Sequence, residues 1–287
     1  MRIATMRRST PPPPRLRTGT GAPLLLLHGA GLTWQSWGGV IDQLAVDHDI
    51  LAPTLPAHWG APRGDVPTTI SSMADYLERE MDAAGWTDAH IAGNSLGGWL
   101  ALELADRGRA RTVTAVAPAG IWREGSKAAA KLRRNFSRLD WIRPLGAVAR
   151  LPFGLGMALG RRTFLPMYAH RPELVDNRLA LSAVEAPAHC RCLRELLTFN
   201  GTDTAAPILD RIDIPVTVLF SGRDRVIPPR YYGQRLLAGR TDVRVKTLHD
   251  VGHVPMLEAP QLLAAEIRSA IAAGRHGVDL SAEPPVA

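Results

Sequence analysis

The sequence predicts an α/β fold, in which a mostly parallel, doubly wound sheet carries a helical insertion. Apolar runs typical of buried strands alternate with amphipathic segments typical of helices up to residue 118, and strands resume after residue 207. Between these two parts, residues 119–207 show no strand pattern and are rich in arginine and apolar side chains. One sheet is therefore expected to be assembled from both parts of the chain.

Length and composition narrow the class of protein. The chain has 287 residues, 46% of them hydrophobic, which is enough for a substantial core. It has no apolar run of about eighteen residues, so no membrane span is expected. Its basic N-terminus lacks the apolar stretch of a secretory signal, which favours a cytoplasmic location. The net charge of +7 is spread along the chain without a nucleic-acid motif, so nucleic acid is not an expected partner.

The individual elements follow from local patterns. Residues 1–22 are predicted to be a flexible arm because Pro11–Pro14 lack backbone donors, with an edge strand near Arg15. Thr68 or Thr69 is the expected N-cap of the second helix. The predicted strands are Pro23–Gly29, Asp49–Pro53, Asp88–Ala92, Thr112–Pro118, Pro215–Gly222 and the edge-like Val243–Leu248, and the predicted helices are Ser36–Val46, Thr69–Ala84, Trp99–Ala105 and Gln261–Ala272.

A serine stands between a predicted strand and a predicted helix, in the segment 93–98 (GNSLGG). Gly93 and Gly97 lack Cβ atoms, so the two elements can approach closely around Ser95. The hydroxyl would lie near the first N–H groups of the helix, as a nucleophile requires. Gly-x-Ser-x-Gly arises by chance in about one chain in ten of this length, so the alternative is a surface serine in a turn.

With its flanking elements, this segment resembles the nucleophile elbow of the α/β-hydrolases. The segment 222–228 (GRDRVIP) is similar to the acid-bearing loop of that family, and Asp224 follows a predicted strand at its carboxyl end. The segment 249–260 (HDVGHVPMLEAP) is similar to the family's histidine loop, with His253 as the base. The chain order of serine, aspartate and histidine is also that of the family.

The resemblance implies a role for each of these residues. Ser95 is the expected nucleophile, His253 the general base and Asp224 the acid that orients the histidine. The expected oxyanion-hole donors are the backbone N–H groups of Ala30 and Leu96.

Three other residues are alternatives for the oxyanion donor, the base and the acid. Gly31 is a less favoured oxyanion donor than Ala30. His28 is expected to brace its loop rather than take part in the chemistry. Asp250 is a rival acid, but it lies only three positions from His253 on the same loop, where it is badly placed to orient the ring.

The resemblance also implies a domain organisation. Residues 23–118 and 208–275 would form the α/β-hydrolase core, residues 119–207 a helical cap over the serine, and residues 276–287 a C-terminal tail. Between residues 123 and 162 the chain has ten basic and two acidic residues. A basic and apolar cap suits either an anionic acyl substrate or peripheral contact with an anionic lipid surface, while the alternative is an ordinary hydrophobic lid. The oligomeric state is not readable from these patterns.

The function implied by the resemblance is hydrolysis of a small to medium acyl substrate, without a metal or organic cofactor. Relatives that cleave carbon–halogen bonds or open epoxides carry aspartate at the elbow, so Ser95 favours carboxylic esters, thioesters or lactones. A carbon–carbon bond hydrolase of vinylogous diketones is the second interpretation, and a cofactor-free peroxidase is more distant. A non-catalytic ligand-binding protein on the same fold is the alternative from another class.

Two cysteines, Cys190 and Cys192, are separated by one residue. This spacing is too tight for an ordinary disulfide, and two thiols alone cannot complete a zinc site. The sequence therefore predicts two reduced thiols.

Overall fold

A seven-stranded sheet forms the centre of the protein in a computed structural model that describes residues 10–62, 68–122, 153–192 and 204–275. The strand order is β1-β3-β2-β4-β5-β6-β7. β1 is antiparallel to β3, and all other neighbours are parallel. The predicted fold class is confirmed. The strands are β1 Arg15–Thr18, β2 Ala22–Leu27, β3 His48–Pro53, β4 Ala89–Asn94, β5 Ala110–Val116, β6 Val216–Ser221 and β7 Val243–Leu248.

Four consecutive leucines in β2 show how the sheet is covered on both faces. Leu25 and Leu27 belong to the core on one face, and Leu24 and Leu26 to the core on the other. All four are fully buried. A continuous apolar run is thus explained by a central parallel strand, whose side chains alternate between two helix-covered faces.

The arm predicted for residues 1–22 is bonded to the body of the protein in its described part. The carbonyl of Pro13 accepts a 2.9 Å hydrogen bond from Trp34 Nε1, and that of Pro14 accepts one of 2.8 Å from the Thr54 N–H. The edge strand expected near Arg15 is present as β1. The prolines lack donors, but their carbonyls still accept hydrogen bonds, and these two bonds attach Pro13 and Pro14 to residues beyond the arm. Residues 1–9 lie outside the described residues.

In the described part of the chain before β5, the α-helices are α1 Gly38–Leu44, α2 Ile70–Ala83 and α3 Leu96–Asp106. The Thr69 hydroxyl oxygen accepts from the Ser72 N–H at 3.1 Å, which confirms one of the two expected caps of α2. The helix predicted from Ser36 instead begins with a 3₁₀ turn, Trp34–Trp37, and α1 follows it. A Cβ on Gly39 would lie 3.0 Å from Pro260, so this glycine allows close packing that helix propensity does not anticipate.

The described residues between β5 and β6 are helical or irregular, without a strand. The elements here are α4 Phe153–Thr163, α5 Leu165–Tyr168, α6 Asn177–His189 and the 3₁₀ turns Pro172–Leu174 and Ala206–Asp210. Residues 123–152 and 193–203 lie outside the described residues. Of the ten basic residues between positions 123 and 162, the described ones are Arg161 and Arg162. Arg161 donates to the Val175 carbonyl at 2.6 Å, so its guanidinium group binds the protein's own backbone.

β7 is the edge strand that its alternating pattern predicts, and two helices follow it within the residues described up to 275. They are α7 Pro255–Glu258 and α8 Pro260–Arg275. Among the described residues no helix is both long enough and apolar enough to cross a membrane. The predicted tail, residues 276–287, lies outside the described residues.

Candidate active site

Ser95 occupies a strained turn between β4 and α3. Its backbone has φ 55° and ψ −113°, a region that residues with a Cβ rarely adopt. A Cβ on Gly93 would lie 2.0 Å from the carbonyl oxygen of Gly97, and one on Gly97 would lie 2.2 Å from that of Leu27. Both glycines are therefore required for the strand and the helix to pack this closely around the serine.

Backbone hydrogen bonds hold this turn in place. The Ser95 N–H donates to the Val116 carbonyl at 2.9 Å, and the Ser95 carbonyl accepts from the N–H groups of Gly98 and Ala119 at 3.0 and 2.9 Å. The serine is thus tied to β5, to its own helix and to the segment that follows β5. Strain at one residue persists when surrounding contacts determine the conformation in this way.

Asp224 lies in the turn after β6 and bonds directly to His253. Its Oδ2 accepts a 2.7 Å hydrogen bond from His253 Nδ1, and both side chains are almost fully buried. Its Oδ1 accepts from the backbone N–H groups of Val226 and Ile227, each at 2.7 Å. The carboxylate is therefore fixed in one orientation, and it selects the ring tautomer that carries its hydrogen on Nδ1.

The rival acid does not occupy this position. Asp250 is exposed, and its carboxylate pairs with Arg223 at 3.2 Å. His249, its neighbour, is also exposed. Of the two candidate acids, Asp224 is the one that the fold brings to His253.

The histidine loop is anchored by two residues for which sequence reasoning gave no role, Asn94 and Glu258. Asn94 Nδ2 donates to the His253 carbonyl at 2.9 Å. The buried Glu258 carboxylate accepts from the N–H groups of Gly252 at 2.6 Å, His170 at 2.9 Å and Arg171 at 2.6 Å. Asn94 lies in the serine motif and Glu258 in the histidine motif. No local sequence pattern indicates the hydrogen bonds that these two side chains form with residues elsewhere in the fold.

The loop after β2 lies beside the serine. A Cβ on Gly29 would be 3.2 Å from Ser95 Cβ, so Gly29 packs against the serine. The predicted donor Ala30 is the next residue of the same loop. The other predicted donor, Leu96, is the first residue of α3, so its N–H has no partner within the helix. Leu96 thus follows Ser95 in the chain, and Ala30 follows Gly29, the residue that packs against Ser95.

His28 braces this loop, as expected. Its Nδ1 donates to the Gly29 carbonyl at 2.8 Å, while its Nε2 accepts from the Leu55 N–H at 2.9 Å. Burial, with a smaller effect from His58, holds the pKa of His28 well below its ordinary value. The ring is therefore neutral, with both nitrogens occupied by the backbone.

Comparisons with known proteins agree with this architecture. The sequence model of the alpha/beta hydrolase family matches residues 24–266. Epoxide hydrolase EphH of Mycobacterium tuberculosis is 38% identical over 208 residues, which cover 69% of this chain and 93% of that protein. The pimeloyl-[acyl-carrier protein] methyl ester esterase of Neisseria meningitidis serogroup C is 30% identical over 266 residues, which cover 85% of this chain and 91% of that protein.

A solved structure shows the same fold. The esterase RhEst1 from Rhodococcus sp. ECU1013 superimposes with a TM-score of 0.69 at 23% identity, covering 91% of this chain and 94% of that one. Its likeness concerns the fold alone. The family match spans most of the sheet and all of the segments that carry Ser95, Asp224 and His253. The chain therefore belongs to the alpha/beta hydrolase family.

Proposed function

We propose that this protein hydrolyses carboxylic esters, or the related thioesters or lactones, through an acyl-enzyme on Ser95. The observation that carries the proposal is the buried 2.7 Å hydrogen bond between Asp224 and His253, on the loops next to a strained serine. A histidine held by a carboxylate in the Nδ1–H tautomer keeps Nε2 available as a base.

In the first half of the reaction, Ser95 Oγ attacks the acyl carbon and His253 Nε2 takes the hydroxyl proton. Asp224 stabilises the imidazolium without itself being protonated. The N–H groups of Ala30 and Leu96 stabilise the oxyanion, each contributing roughly 3 to 4 kcal/mol. The tetrahedral intermediate then collapses, the bond to the alcohol or thiol breaks, and His253 returns the proton to that leaving group.

In the second half, water replaces the leaving group. His253 takes a proton from the water as its oxygen attacks the acyl carbon, and the same two donors stabilise the second oxyanion. Collapse breaks the bond to Ser95 Oγ, which regains the proton from His253. The carboxylic acid leaves, and the enzyme is restored without any external oxidant or cofactor.

The relatives support two different substrate classes, and the chemistry of serine separates them. The Neisseria relative is an ester hydrolase by name, whereas the Mycobacterium relative is an epoxide hydrolase. Attack of a serine oxygen on an epoxide would leave an alkyl ether, which offers water no carbonyl carbon to attack. An acyl-serine has such a carbon, so Ser95 favours esters.

A substrate panel tests this proposal. Purified protein and its Ser95→Ala variant are assayed with p-nitrophenyl esters of increasing acyl length, a vinylogous diketone and a neutral terminal epoxide. Turnover of at least one ester, lost in the variant, supports the proposal. Turnover of the diketone alone would favour the carbon–carbon hydrolase, and turnover of the epoxide alone would overturn the ester assignment. Ligand binding without any turnover would favour a non-catalytic protein.

A further inference from the structure

A second cluster of reactive side chains lies outside the proposed catalytic groups. His58, in the loop after β3, meets Cys190 and Cys192, which follow α6 directly. All three residues are buried, and neither cysteine forms a disulfide in the described parts of the chain. One candidate ligand atom from each residue lies within 4.8 Å of the others. The contact between His58 and Cys192 joins positions 134 residues apart, so no local spacing in the sequence indicates a third ligand.

The spacing of the two sulfur atoms matches the coordination shell of zinc. Zinc binds sulfur at about 2.3 Å, so two sulfur ligands of a tetrahedral shell lie about 3.8 Å apart. The two sulfur atoms are 3.5 Å apart, and the His58 ring lies beside them, with its Nδ1 3.7 Å from Cys192 Sγ. We propose that His58, Cys190 and Cys192 bind a Zn²⁺ ion, with the fourth position left for water or a small anion.

The imidazole of His58 gives an independent reason to expect a ligand. Its Nδ1 donates to the Pro56 carbonyl at 2.9 Å, while its Nε2 is buried and has no hydrogen-bond partner in the described parts of the chain. A buried ring nitrogen without a partner is costly. Nε2 is therefore the nitrogen left for the ion, while a metal-binding imidazole usually donates its other N–H to a carboxylate, a water or, as here, a backbone carbonyl.

Zinc binds thiolates and neutral imidazole, so Zn²⁺ would displace the protons of the cysteine thiols on binding.

The cluster lies directly behind the loop next to Ser95. The rings of His58 and His28 meet edge to face, with 5.0 Å between their centroids. A Cβ on Gly31 would lie 3.6 Å from Pro187, in the last turn of α6. A bound ion would therefore fix α6 and the loop after β3 against the loop that carries Ala30. The metal site itself does not depend on the proposed ester chemistry.

Zinc content tests the proposal directly. Tag-free protein is freed of metal with a chelator under reducing conditions, incubated with Zn²⁺, desalted, and assayed by elemental mass spectrometry. About one zinc per chain is expected. Cys190→Ser, Cys192→Ser and His58→Asn should each weaken zinc binding by at least about 10- to 100-fold. His189→Gln is the matched control, because this partly exposed histidine stacks on Trp59 next to the cluster without belonging to it.

The wild-type protein provides a second test that does not depend on variants folding. Co²⁺ should give a thiolate-to-cobalt charge-transfer band, and Zn²⁺ should slow alkylation of both cysteines by iodoacetamide. Equal zinc content in the wild type and Cys192→Ser, or a cobalt spectrum without that band, would overturn the proposal. A Cys190–Cys192 disulfide in protein that takes up no zinc after reduction would also overturn it, and would indicate a redox pair.

Discussion

The side chain of Asn94 donates a 2.9 Å hydrogen bond to the backbone carbonyl of His253, across 159 positions of the chain. The same Nδ2 also donates to the Val116 carbonyl at 3.2 Å. The residue before the proposed nucleophile therefore holds the loop of the proposed base against β5. Since general base catalysis depends on hydrogen-bond geometry, this contact links the position of Ser95 to that of His253.

Asn94→Asp tests this link with little change in shape. A carboxylate cannot donate, so it would face the carbonyls of His253 and Val116 without a hydrogen bond. The free energy of unfolding should fall by about 1–3 kcal/mol and kcat by roughly tenfold or more. Urea unfolding and ester kinetics measure the two effects. Asn177→Asp is the control, because Asn177 uses its oxygen to accept from Arg161, and a carboxylate preserves that bond. Equal, small effects at both positions would contradict the proposed link.

Asp224 and Asp250 should differ sharply in kinetics. Asp224→Asn removes the carboxylate that selects the Nδ1–H tautomer of His253, so kcat should fall by about 10³- to 10⁴-fold. Asp250 pairs with Arg223 in solvent, and Asp250→Asn should change kcat less than about tenfold. The reverse ranking in steady-state assays would show that the wrong acid has been assigned.

Glu258 is expected to act by positioning the histidine loop. Its carboxylate accepts three backbone N–H groups, and Glu258→Gln would turn one accepting oxygen into a donor. Each charge-assisted bond contributes about 1.5–3 kcal/mol, so the free energy of unfolding should fall by a similar amount. The rate constant kcat should fall while KM changes little, since the loop carries the proposed base.

A glutamate in an ion pair near the surface serves as the control for this prediction. Glu266 pairs with Lys246 at 2.6 Å, and Glu266→Gln should alter stability by only about 0.2–1 kcal/mol. If Glu258→Gln is no more damaging than Glu266→Gln in thermal unfolding and kinetics, the anchoring role of Glu258 is wrong.

The buried neutral ring of His28 should make stability depend on pH. Its pKa is well below 6.5 in the folded chain and about 6.5 in the unfolded chain, so only the unfolded state gains the proton as the pH falls below 6.5. The free energy of unfolding should therefore fall by at most about 1.4 kcal/mol per pH unit in that range, with no effect of His28 above it.

Comparison with His28→Gln isolates this contribution. The stability advantage of the wild type over the variant should shrink by about 1 kcal/mol between roughly pH 7.5 and pH 5.5. Urea titrations at the two pH values measure it. An advantage that stays constant would mean that His28 has the same pKa in both states.

Local sequence patterns predicted most of the fold. The leucines of β2 predicted a strand buried on two faces. The pair Thr68 and Thr69 predicted the start of α2 to within one residue, because helix caps and buried strands depend on neighbouring residues. Boundaries were less accurate where distant packing intervenes. Gly39 allows α1 to approach Pro260, and the carbonyls of Pro13 and Pro14 are bonded by residues far along the chain.

In the candidate site, too, local motifs were predictable and long-range contacts were not. Ser95, Asp224 and His253 stand in recognisable local motifs, and their order along the chain completed the prediction. The carboxylate of Glu258, the amide of Asn94 and the meeting of His58 with the cysteines have partners that only the folded chain brings together. No spacing in the sequence encodes such contacts, because the intervening elements determine them.

The proposed role of Ser95 as nucleophile is tested most directly by covalent labelling. A fluorophosphonate is reacted with the protein, and the modified residue is identified by peptide mass spectrometry alongside the loss of esterase activity. We expect one phosphonyl group, on Ser95, and the extent of labelling should follow the loss of activity. Ser95→Ala should fold normally, resist labelling and lose about 10³-fold or more in kcat. Labelling at another residue, or full activity of Ser95→Ala, would contradict this role.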